Sequence, residues 1–232
     1  MLQSTMLSKK YNGKIALDHV DTELLNGKIY ALLGPNGSGK TTFMKILSGL
    51  TRESEGEVTL DGEAISVKSR ALVAYLPTES HAYPFMTVGE FGEYYKKFFT
   101  DFQETRYKEW IKRMGIPFQT PFKVLSSGMD KKVRVAATLS RDAKLLILDE
   151  PFNGVDLLAR EEIVKMILEV MAEDKIILLS SHLVEEVESY VNTALFFSEG
   201  RLIAKEDVEE LRSSRGMALT DRYRELFGKV GD

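Results

Sequence analysis

The stretch ALLGPNGSGKTTF, residues 31–43, decides the fold of this chain. Its centre, GPNGSGKT (34–41), fits the pattern G-x-x-x-x-G-K-[ST] and lies between a predicted strand, KIYALLG, and a helix predicted from about Gly39 to Leu50. Glycines let backbone N–H groups converge on phosphate oxygens, and the N-terminus of a helix adds positive potential. The stretch therefore predicts a phosphate-binding loop in an α/β domain, with a simple glycine-rich turn as the alternative.

Three side chains of this loop predict how a nucleotide and its metal are held. Lys40 can reach the β- and γ-phosphates, Thr41 can place its hydroxyl on Mg²⁺, and Thr42 can add a bond to the α-phosphate. The loop residues expected to bind ATP are Gly34, Pro35, Asn36, Gly37, Ser38, Gly39, Lys40, Thr41 and Thr42.

An acidic motif follows a strand further along the chain. In LLILDEP, residues 145–151, four apolar residues deliver Asp149 to the carboxyl edge of the predicted sheet, where ligands bind in such sheets. Asp149 can hold Mg²⁺, directly or through water, and Glu150 can orient or deprotonate the water that attacks the γ-phosphate. The alternative is an ordinary strand that ends in acidic surface residues, and the phosphate loop upstream favours the catalytic interpretation.

The segment LSSGM, residues 125–129, precedes a predicted helix and offers a second anion site. Ser126 and Gly128 supply a hydroxyl and a close backbone approach at the helix N-terminus. Because one chain needs only one site for a γ-phosphate, this site predicts contact with a nucleotide held by another subunit; a plain helix cap is the alternative. The charged run DKKVR that follows, residues 130–134, is predicted to be a solvated helix face.

The remaining segments predict an α/β fold with a mainly parallel core sheet and helices on both faces, because strands alternate with helices. The opening strands predict an N-terminal antiparallel β region, with Asn26-Gly27 as a hairpin turn. A capping box, T-x-x-E at Thr87 and Glu90, begins a helix-rich insertion, and another helix is predicted near residues 184–191. We expect one domain over 1–232, with a nucleotide-binding core at 1–84 and 142–207, a helical subdomain at 85–141 and a charged, helical tail at 208–232.

Composition narrows the class of protein. The 232 residues carry a net charge of −4, so nothing marks the whole chain as a nucleic-acid binder, and we expect no nucleic acid as a partner. The lack of cysteine removes disulfides and thiolate metal sites and fits a reducing compartment. No window approaches the roughly 18 apolar residues that a membrane span needs. Any service to a membrane is therefore expected to go through a partner.

Together these motifs resemble the ATP-binding subunits of ABC (ATP-binding cassette) transporters, over nearly the whole chain and in the family's order. Residues 34–41 resemble the Walker A motif, and residues 145–150 resemble Walker B. LSSGM is similar to the LSGGQ signature, with Ser127 in place of the first glycine and Met129 in place of glutamine. The signature residues that the resemblance places against a partner's ATP are Ser126, Ser127 and Gly128.

Three further positions match the family pattern. NGVD, residues 153–156, resembles the D-loop, with Asp156 as its acidic residue. His182 matches the switch histidine that contacts the γ-phosphate, and Tyr11 stands where the family stacks an aromatic ring on adenine. A surface histidine and a strand-end aromatic are the alternatives. The residues that the resemblance assigns to catalysis are Glu150, His182 and Lys40.

The resemblance implies a P-loop NTPase fold in which two subunits sandwich two ATP molecules head to tail. The implied cofactors are ATP and Mg²⁺. The implied partners are a second ATPase subunit, in a homo- or heterodimer, and a transmembrane permease subunit that holds this chain in the cytoplasm, on the inner face of the cell membrane. A soluble ABC ATPase and a non-hydrolysing regulatory subunit are the alternatives.

The segment LPTESHAYPFMTVGEFGEYYKKFF, residues 76–99, departs from the family pattern at Thr78. The family usually has a glutamine at this position, which makes Thr78 a further candidate for the metal site. A threonine hydroxyl can accept a hydrogen bond from a metal-bound water, although it reaches less far than a glutamine amide.

The same region is crowded with aromatic rings. Rings at 91, 94 or 95, and 98 follow helical spacing and predict a helix core. Helical spacing alone does not place all eight rings inside so small a subdomain, so we expect some to be exposed, and exposed apolar patches are typical of partner surfaces. The resemblance implies that this region docks a transmembrane subunit; a helix core alone is the alternative. This segment also resembles a bacterial exporter-type branch of the family. The eight rings are Tyr83, Phe85, Phe91, Tyr94, Tyr95, Phe98, Phe99 and Phe102.

Overall fold

The computed structural model describes residues 1–66 and 69–228. Within them, ten strands form two sheets, and seven α-helices pack around the sheets. The strands are β1 (Leu2–Tyr11), β2 (Lys14–Leu24), β3 (Lys28–Leu33), β4 (Glu55–Leu60), β5 (Glu63–Ala64), β6 (Val73–Leu76), β7 (Leu145–Leu148), β8 (Ile176–Ser181), β9 (Thr193–Ser198) and β10 (Arg201–Asp207). The helices are α1 (Lys40–Leu47), α2 (Val88–Phe98), α3 (Glu104–Arg113), α4 (Ser127–Leu139), α5 (Leu157–Val170), α6 (Val208–Arg215) and α7 (Leu219–Phe227).

The first sheet is antiparallel, in the order β2-β1-β4-β5, and confirms the predicted N-terminal β region. The hairpin predicted at Asn26-Gly27 is wrong. A turn does form there, but β2 stays in the first sheet while β3 enters the second. The chain changes sheets because β3 is an apolar run buried on nearly its whole length, which suits the centre of a covered sheet better than a half-exposed hairpin.

The second sheet has the order β10-β9-β3-β8-β7-β6, and every pair except β10-β9 is parallel. This arrangement confirms the predicted, mainly parallel core sheet. Parallel pairing brings the carboxyl ends of β3, β6, β7 and β8 to one edge of the sheet. The phosphate loop follows β3 at that edge, and Thr78, Asp149 and His182 follow the other three strands.

Two apolar cores lie on opposite faces of the second sheet. Along β3, Ile29, Ala31 and Leu33 belong to one core, whereas Tyr30 and Leu32 belong to the other. The first core contains side chains of α2, α3, α4 and α5, and the second contains side chains of α1 and of the antiparallel sheet. Helices therefore cover both faces, as predicted from the alternation of strands and helices.

Polar side chains set where the helices begin. Thr87 and Glu90 form the predicted capping box at the start of α2, and the Ser126 hydroxyl accepts a hydrogen bond from the Met129 N–H at the start of α4. The helix predicted near 184–191 is wrong, because only Val184–Glu186 form a short 3-10 turn there. The Ser181 hydroxyl bonds to the backbone of the next residues and to a glutamate carboxylate, and such local bonds compete with helical ones.

The tail forms helices α6 and α7, which confirms the helical prediction up to residue 228; residues 229–232 of the predicted tail lie outside the described residues. Leu219 is buried in the first core, and its N–H donates to Glu188 Oε1 at 2.8 Å, so α7 packs on the segment that follows β8. Across residues 1–66 and 69–228, no helix combines the length and the apolar character that crossing a bilayer requires.

Candidate functional site

The phosphate loop leaves β3 in a conformation that two of its glycines make accessible. Gly34 has a φ of +147° and Gly39 a φ of +106°, both in the region that side chains disfavour. A Cβ on Gly34 would lie 2.1 Å from the Phe197 carbonyl oxygen, and one on Gly39 would lie 2.7 Å from the Ala16 carbonyl oxygen. Any larger residue at either position would push the loop off the sheet edge.

Lys40 opens α1 and folds its side chain back under the loop. Its Nζ donates to the carbonyl oxygens of Gly34 at 2.7 Å and Pro35 at 3.1 Å, and the residue is buried. Burial lowers the pKa of Lys40, while the nearby charges of Glu150 and Asp149 oppose the shift. Gly34 and Pro35 therefore position the lysine and do not line the cavity in front of the loop.

This cavity has a volume of about 660 Å³ and brings together most of the predicted site residues. Tyr11 lies at its rim, with the ammonium of Lys9 4.9 Å from the ring centre. Lys14, Ile15 and Ala16 also line it, and the sequence motifs did not single them out. The predicted residues that line the cavity are Tyr11, Asn36, Gly37, Ser38, Gly39, Lys40, Thr41, Thr42, Thr78, Glu150 and His182.

Asp149 lies behind the cavity and is almost fully buried, with an exposed fraction of 1%. Three hydroxyls donate to its carboxylate: Ser180 Oγ at 2.8 Å, Tyr75 OH at 3.3 Å and Thr41 Oγ1 at 3.4 Å. Burial raises the pKa of Tyr75, and the Asp149 charge raises it further, so the phenol stays protonated and remains a donor. The Thr41 hydroxyl and the Asp149 carboxylate are adjacent hard oxygens, the donor type that Mg²⁺ prefers, and the site therefore fits this ion.

Glu150 has a left-handed backbone, with a φ of +50°, which few residues other than glycine adopt. Its N–H donates to Ser180 Oγ at 2.9 Å, and its carboxylate oxygen Oε2 lies 2.8 Å from His182 Nδ1. When Nδ1 carries the proton, the histidine donates to the carboxylate and fixes its direction. This arrangement can present a carboxylate to a water molecule beside the terminal phosphate of a nucleotide.

The signature segment and the predicted D-loop lie against each other. Ser127 Oγ donates to the Gly154 carbonyl at 3.3 Å, and a Cβ on Gly128 would lie 3.6 Å from Asp156 Oδ2. Asp156 also caps α5, because its carboxylate accepts a hydrogen bond from the Ala159 N–H at 2.9 Å. Ser126, Gly128 and Asp156 line a separate surface pocket of about 300 Å³ and not the nucleotide cavity of the same chain. Asn153, the first residue of the predicted D-loop, does line that cavity.

The charged run at 130–134 is not a solvated face, so that prediction is wrong. Lys131 and Arg134 are 4% and 3% exposed, and both point from α4 towards the loop after β6. Burial lowers the pKa of Lys131 to about 8, and the Arg134 charge adds to the shift. Their amphipathic stems reach inwards because loop carbonyls, which need donors, lie under the start of the helix.

Three residues that contact the site lie outside the sequence motifs predicted to be functional, or had no functional role predicted for them. Ser180 and Tyr75 reach Asp149 from β8 and β6, the two strands that flank β7. Lys131 reaches the site from α4. Only the strand order and the helix orientation make these contacts, and neither can be read from the spacing along the chain.

The aromatic segment divides between core and surface. Phe91, Tyr95 and Phe102 are buried, and Phe98 is exposed, so its predicted place in the helix core is wrong. Phe98 lies beyond the apolar face of α2 and packs instead on the Tyr94 ring, 4.6 Å away between centres. The four exposed rings are Tyr83, Phe85, Tyr94 and Phe98.

Comparisons with known proteins agree with this geometry. The profile of the ABC transporter family matches residues 17–153. The lantibiotic transport ATP-binding protein SrtF of Streptococcus pyogenes is 30% identical over 211 residues, which cover 90% of this chain and 92% of SrtF. The ABC transporter ATP-binding protein YtrB of Bacillus subtilis (strain 168) is 28% identical over 215 residues, covering 91% and 74%. A solved ATP-binding subunit of an ABC transporter superposes with a TM-score of 0.87 at 27% identity, covering 97% of this chain and 99% of the other.

Proposed function

Because this chain belongs to the ABC transporter family, we propose that it is the ATP-binding and ATP-hydrolysing subunit of a transporter, working with a separate transmembrane subunit. The observation that carries the proposal is the convergence of four strand ends on one cavity. There, a phosphate loop, a buried carboxylate, and a second carboxylate in contact with a histidine lie at the same edge of the sheet. A non-hydrolysing regulatory subunit would have no use for that last contact.

In the proposed reaction, the Glu150 carboxylate accepts a proton from the water that attacks the γ-phosphate. His182 orients the carboxylate through Nδ1. Lys40 turns from the loop carbonyls to the β- and γ-phosphates, and its positive charge offsets the charge that develops during transfer. Tyr11 packs against the adenine ring at the cavity rim.

Thr41 and Asp149 are the residues that would hold Mg²⁺, and Thr78, which lines the same cavity, is a further candidate. A bound ion would supply positive charge that offsets the charge of the phosphates. Ser180 and Tyr75 prepare the site for it, since their hydroxyls satisfy Asp149 and hold its carboxylate in one orientation.

The site requires a second ATPase subunit, in a homo- or heterodimer. Ser126, Ser127 and Gly128 offer an anion site at the start of α4, yet they lie outside the chain's own nucleotide cavity. They therefore face the ATP of the second subunit, with Asp156 beside them. ATP that is bound by both subunits stabilises the closed pair, and hydrolysis removes that differential binding.

The exposed rings are the proposed contact with the transmembrane subunit. Tyr83 and Phe85 stack with centres 5.6 Å apart, and they are 57% and 75% exposed. Exposed aromatic side chains of this size are typical of protein interfaces. This contact would hold the chain on the cytoplasmic face of the membrane. We assign the transporter to the exporter-type branch, on the aromatic segment and on the similarity to a lantibiotic transport protein.

The variant Glu150→Gln tests the proposed reaction. An amide cannot take the proton, so we expect steady-state hydrolysis to fall by about 10²- to 10⁴-fold. ATP binding should persist, and a stable ATP-bound dimer should appear in size-exclusion chromatography. Glu173→Gln, which alters an exposed carboxylate outside the cavity, is the control and should match the wild type. Wild-type turnover in Glu150→Gln would contradict the role of Glu150 as general base.

A further inference from the structure

Three hydrogen bonds of Arg134 and Asp130 join helix α4 to the loop after β6. Arg134 Nη1 donates to the carbonyl oxygens of Pro77 at 3.3 Å and Glu79 at 3.2 Å, and Arg134 Nε pairs with Asp130 at 2.7 Å. Ser80 Oγ donates to the same aspartate at 3.2 Å. The backbone of this loop, which carries Thr78 into the nucleotide cavity, is therefore held from the first turns of α4.

Lys131 makes the contact that extends this connection to the catalytic carboxylate. Its Nζ donates to the carbonyl oxygen of Thr78 at 3.3 Å and to that of Glu150 at 3.1 Å. One buried ammonium thus joins two loops that follow two different strands, β6 and β7. The signature segment forms the start of α4 and ends at Met129, only two residues before Lys131.

The hydrogen bond from Lys131 to the Glu150 carbonyl matters because the backbone at Glu150 is strained. Its φ of +50° is a conformation that costs free energy and persists only where the surroundings hold it. Ser180 holds the N–H of Glu150, and Lys131 holds its carbonyl oxygen. The direction of the Glu150 side chain therefore depends on both contacts, and one of them comes from α4.

Stability alone gives a poor account of this lysine. Within residues 1–66 and 69–228, no carboxylate oxygen lies within 4 Å of Lys131 Nζ, although the side chain is 4% exposed. Burying an ammonium that no carboxylate pairs with directly is costly, even though the charges of Asp130, Asp149 and Glu150 oppose the fall in its pKa. An apolar side chain of similar volume often stabilises such a position equally well. We therefore explain this buried lysine by the two backbone carbonyls, of Thr78 and Glu150, that its ammonium holds.

We propose that Lys131 is a positioning residue that makes the catalytic geometry of Glu150 and of the Thr78 loop depend on the position of the signature helix α4. The proposal deepens the proposed function and rests on it, because it assigns to α4 the control of hydrolysis within the same chain. A shift of the signature segment against a second subunit would move Lys131 and, with it, both carbonyls. ATP hydrolysis then reaches its full rate only when α4 is in the position that holds both loops in the catalytic geometry.

The test compares Lys131→Met, Lys131→Arg and Lys175→Met in the full chain. Lys131→Met keeps the length of the side chain and removes its donors, so we expect kcat to fall by about 10- to 100-fold, as for other residues that orient a reacting group. The dissociation constant of ATP should stay near the wild-type value, because the phosphate loop is untouched. Lys131→Arg retains the cation and should recover part of the lost kcat.

Lys175→Met is the matched control. Lys175 is also a buried lysine, but it pairs with Asp142 at 2.6 Å and precedes β8, at the sheet edge opposite the cavity. The Lys175→Met variant should be less stable than the wild type but should keep the wild-type kcat. A kcat for folded Lys131→Met equal to that of the wild type would overturn the proposal. If Lys131→Met does not fold, Lys131→Leu, which also lacks a donor, takes its place, and an unchanged kcat in that variant has the same meaning.

Hydrogen exchange of the nucleotide-free protein supplies a readout that needs no ATPase activity. Lys131→Met is expected to speed exchange of the amides of Glu79, Ser80 and Glu150, and Lys175→Met is not. Unchanged exchange at these amides would overturn the positioning role. A wild-type protein that binds no ATP would contradict the proposed function instead, so failure of either idea can be recognised separately.

Discussion

Ser180 shows how a single residue organises the site. Its hydroxyl donates to Asp149 Oδ1 at 2.8 Å and accepts the Glu150 N–H at 2.9 Å, and the residue is fully buried. One hydroxyl is therefore the donor to Asp149 and the acceptor from Glu150, two residues adjacent in the chain. The two carboxylates, Asp149 and Glu150, are thus held together by a residue that does not line the nucleotide cavity.

The variant Ser180→Ala should lower both stability and activity. It leaves a buried carboxylate oxygen and a buried N–H without this partner, so we expect unfolding in urea to become easier by about 1–3 kcal/mol. The ATPase kcat should fall by about 10- to 100-fold, because Asp149 and Glu150 lose their common anchor.

Ser140→Ala is the control for Ser180→Ala. Ser140 is equally buried, but among the described residues its hydroxyl has no hydrogen-bond partner, so its removal should leave stability and kcat near the wild type. A Ser180→Ala protein with the same kcat as Ser140→Ala would show that Asp149 and Glu150 do not need the hydroxyl.

At the scale of elements, the helical segment depends on a close crossing of α2 and α3. A Cβ on Gly92 would lie 2.4 Å from a ring carbon of Tyr107, so only glycine lets the two helices approach this far. The Tyr107 hydroxyl donates to the Val88 carbonyl at 2.7 Å, which fixes the ring across the crossing. This packing orients α2 and the exposed rings that it carries.

We expect Gly92→Ala to destabilise the protein by about 1–3 kcal/mol, because the added methyl overpacks the crossing. The sign is diagnostic, since the same substitution in an open helix interior usually stabilises by about 0.5–1 kcal/mol. Urea unfolding measures the change. A neutral or stabilising effect would mean that α2 and α3 can separate without loss.

At the scale of the whole molecule, we propose two kinds of surface for partners. The nucleotide cavity and the signature pocket lie apart, as expected if two subunits complete each other's sites. The exposed rings form another surface, on the loop after β6 and on α2. The loop after β6 lines the nucleotide cavity through Thr78 and also carries two of the exposed rings, and α4 holds it, so the two proposed partner surfaces share one segment.

Phe85→Ala should weaken the complex with the membrane subunit without affecting folding. Phe85 is 75% exposed, so its truncation costs little stability, whereas loss of an aromatic anchor from an interface costs about 1–2 kcal/mol or more of binding. Copurification with the membrane subunit measures this loss. Leu50→Ala, which truncates another exposed apolar side chain, is the control and should copurify normally. Equal recovery of both variants would count against the ring surface as the docking site.

The short motifs could be read from the sequence because their chemistry is local. The phosphate loop needs glycines at fixed spacing, the capping box needs two residues three apart, and an apolar run needs burial on both faces. Each requirement acts within a few residues, so the residue types along the chain state it directly. The fold class, most of the cavity residues and the starts of α2 and α4 follow from such requirements.

Other features depended on which elements become neighbours in space. Ser180 is 31 residues from Asp149, and Lys131 is 19 residues from Glu150 and 53 from Thr78. A charged run on a helix looks the same in sequence whether it faces water or the carbonyls of a distant loop. Parallel pairing joins strands across long crossovers, so strand order and helix orientation decided these contacts. The sequence therefore determined where the phosphate-loop and acidic motifs lie, and the tertiary structure decided which residues hold their side chains in place.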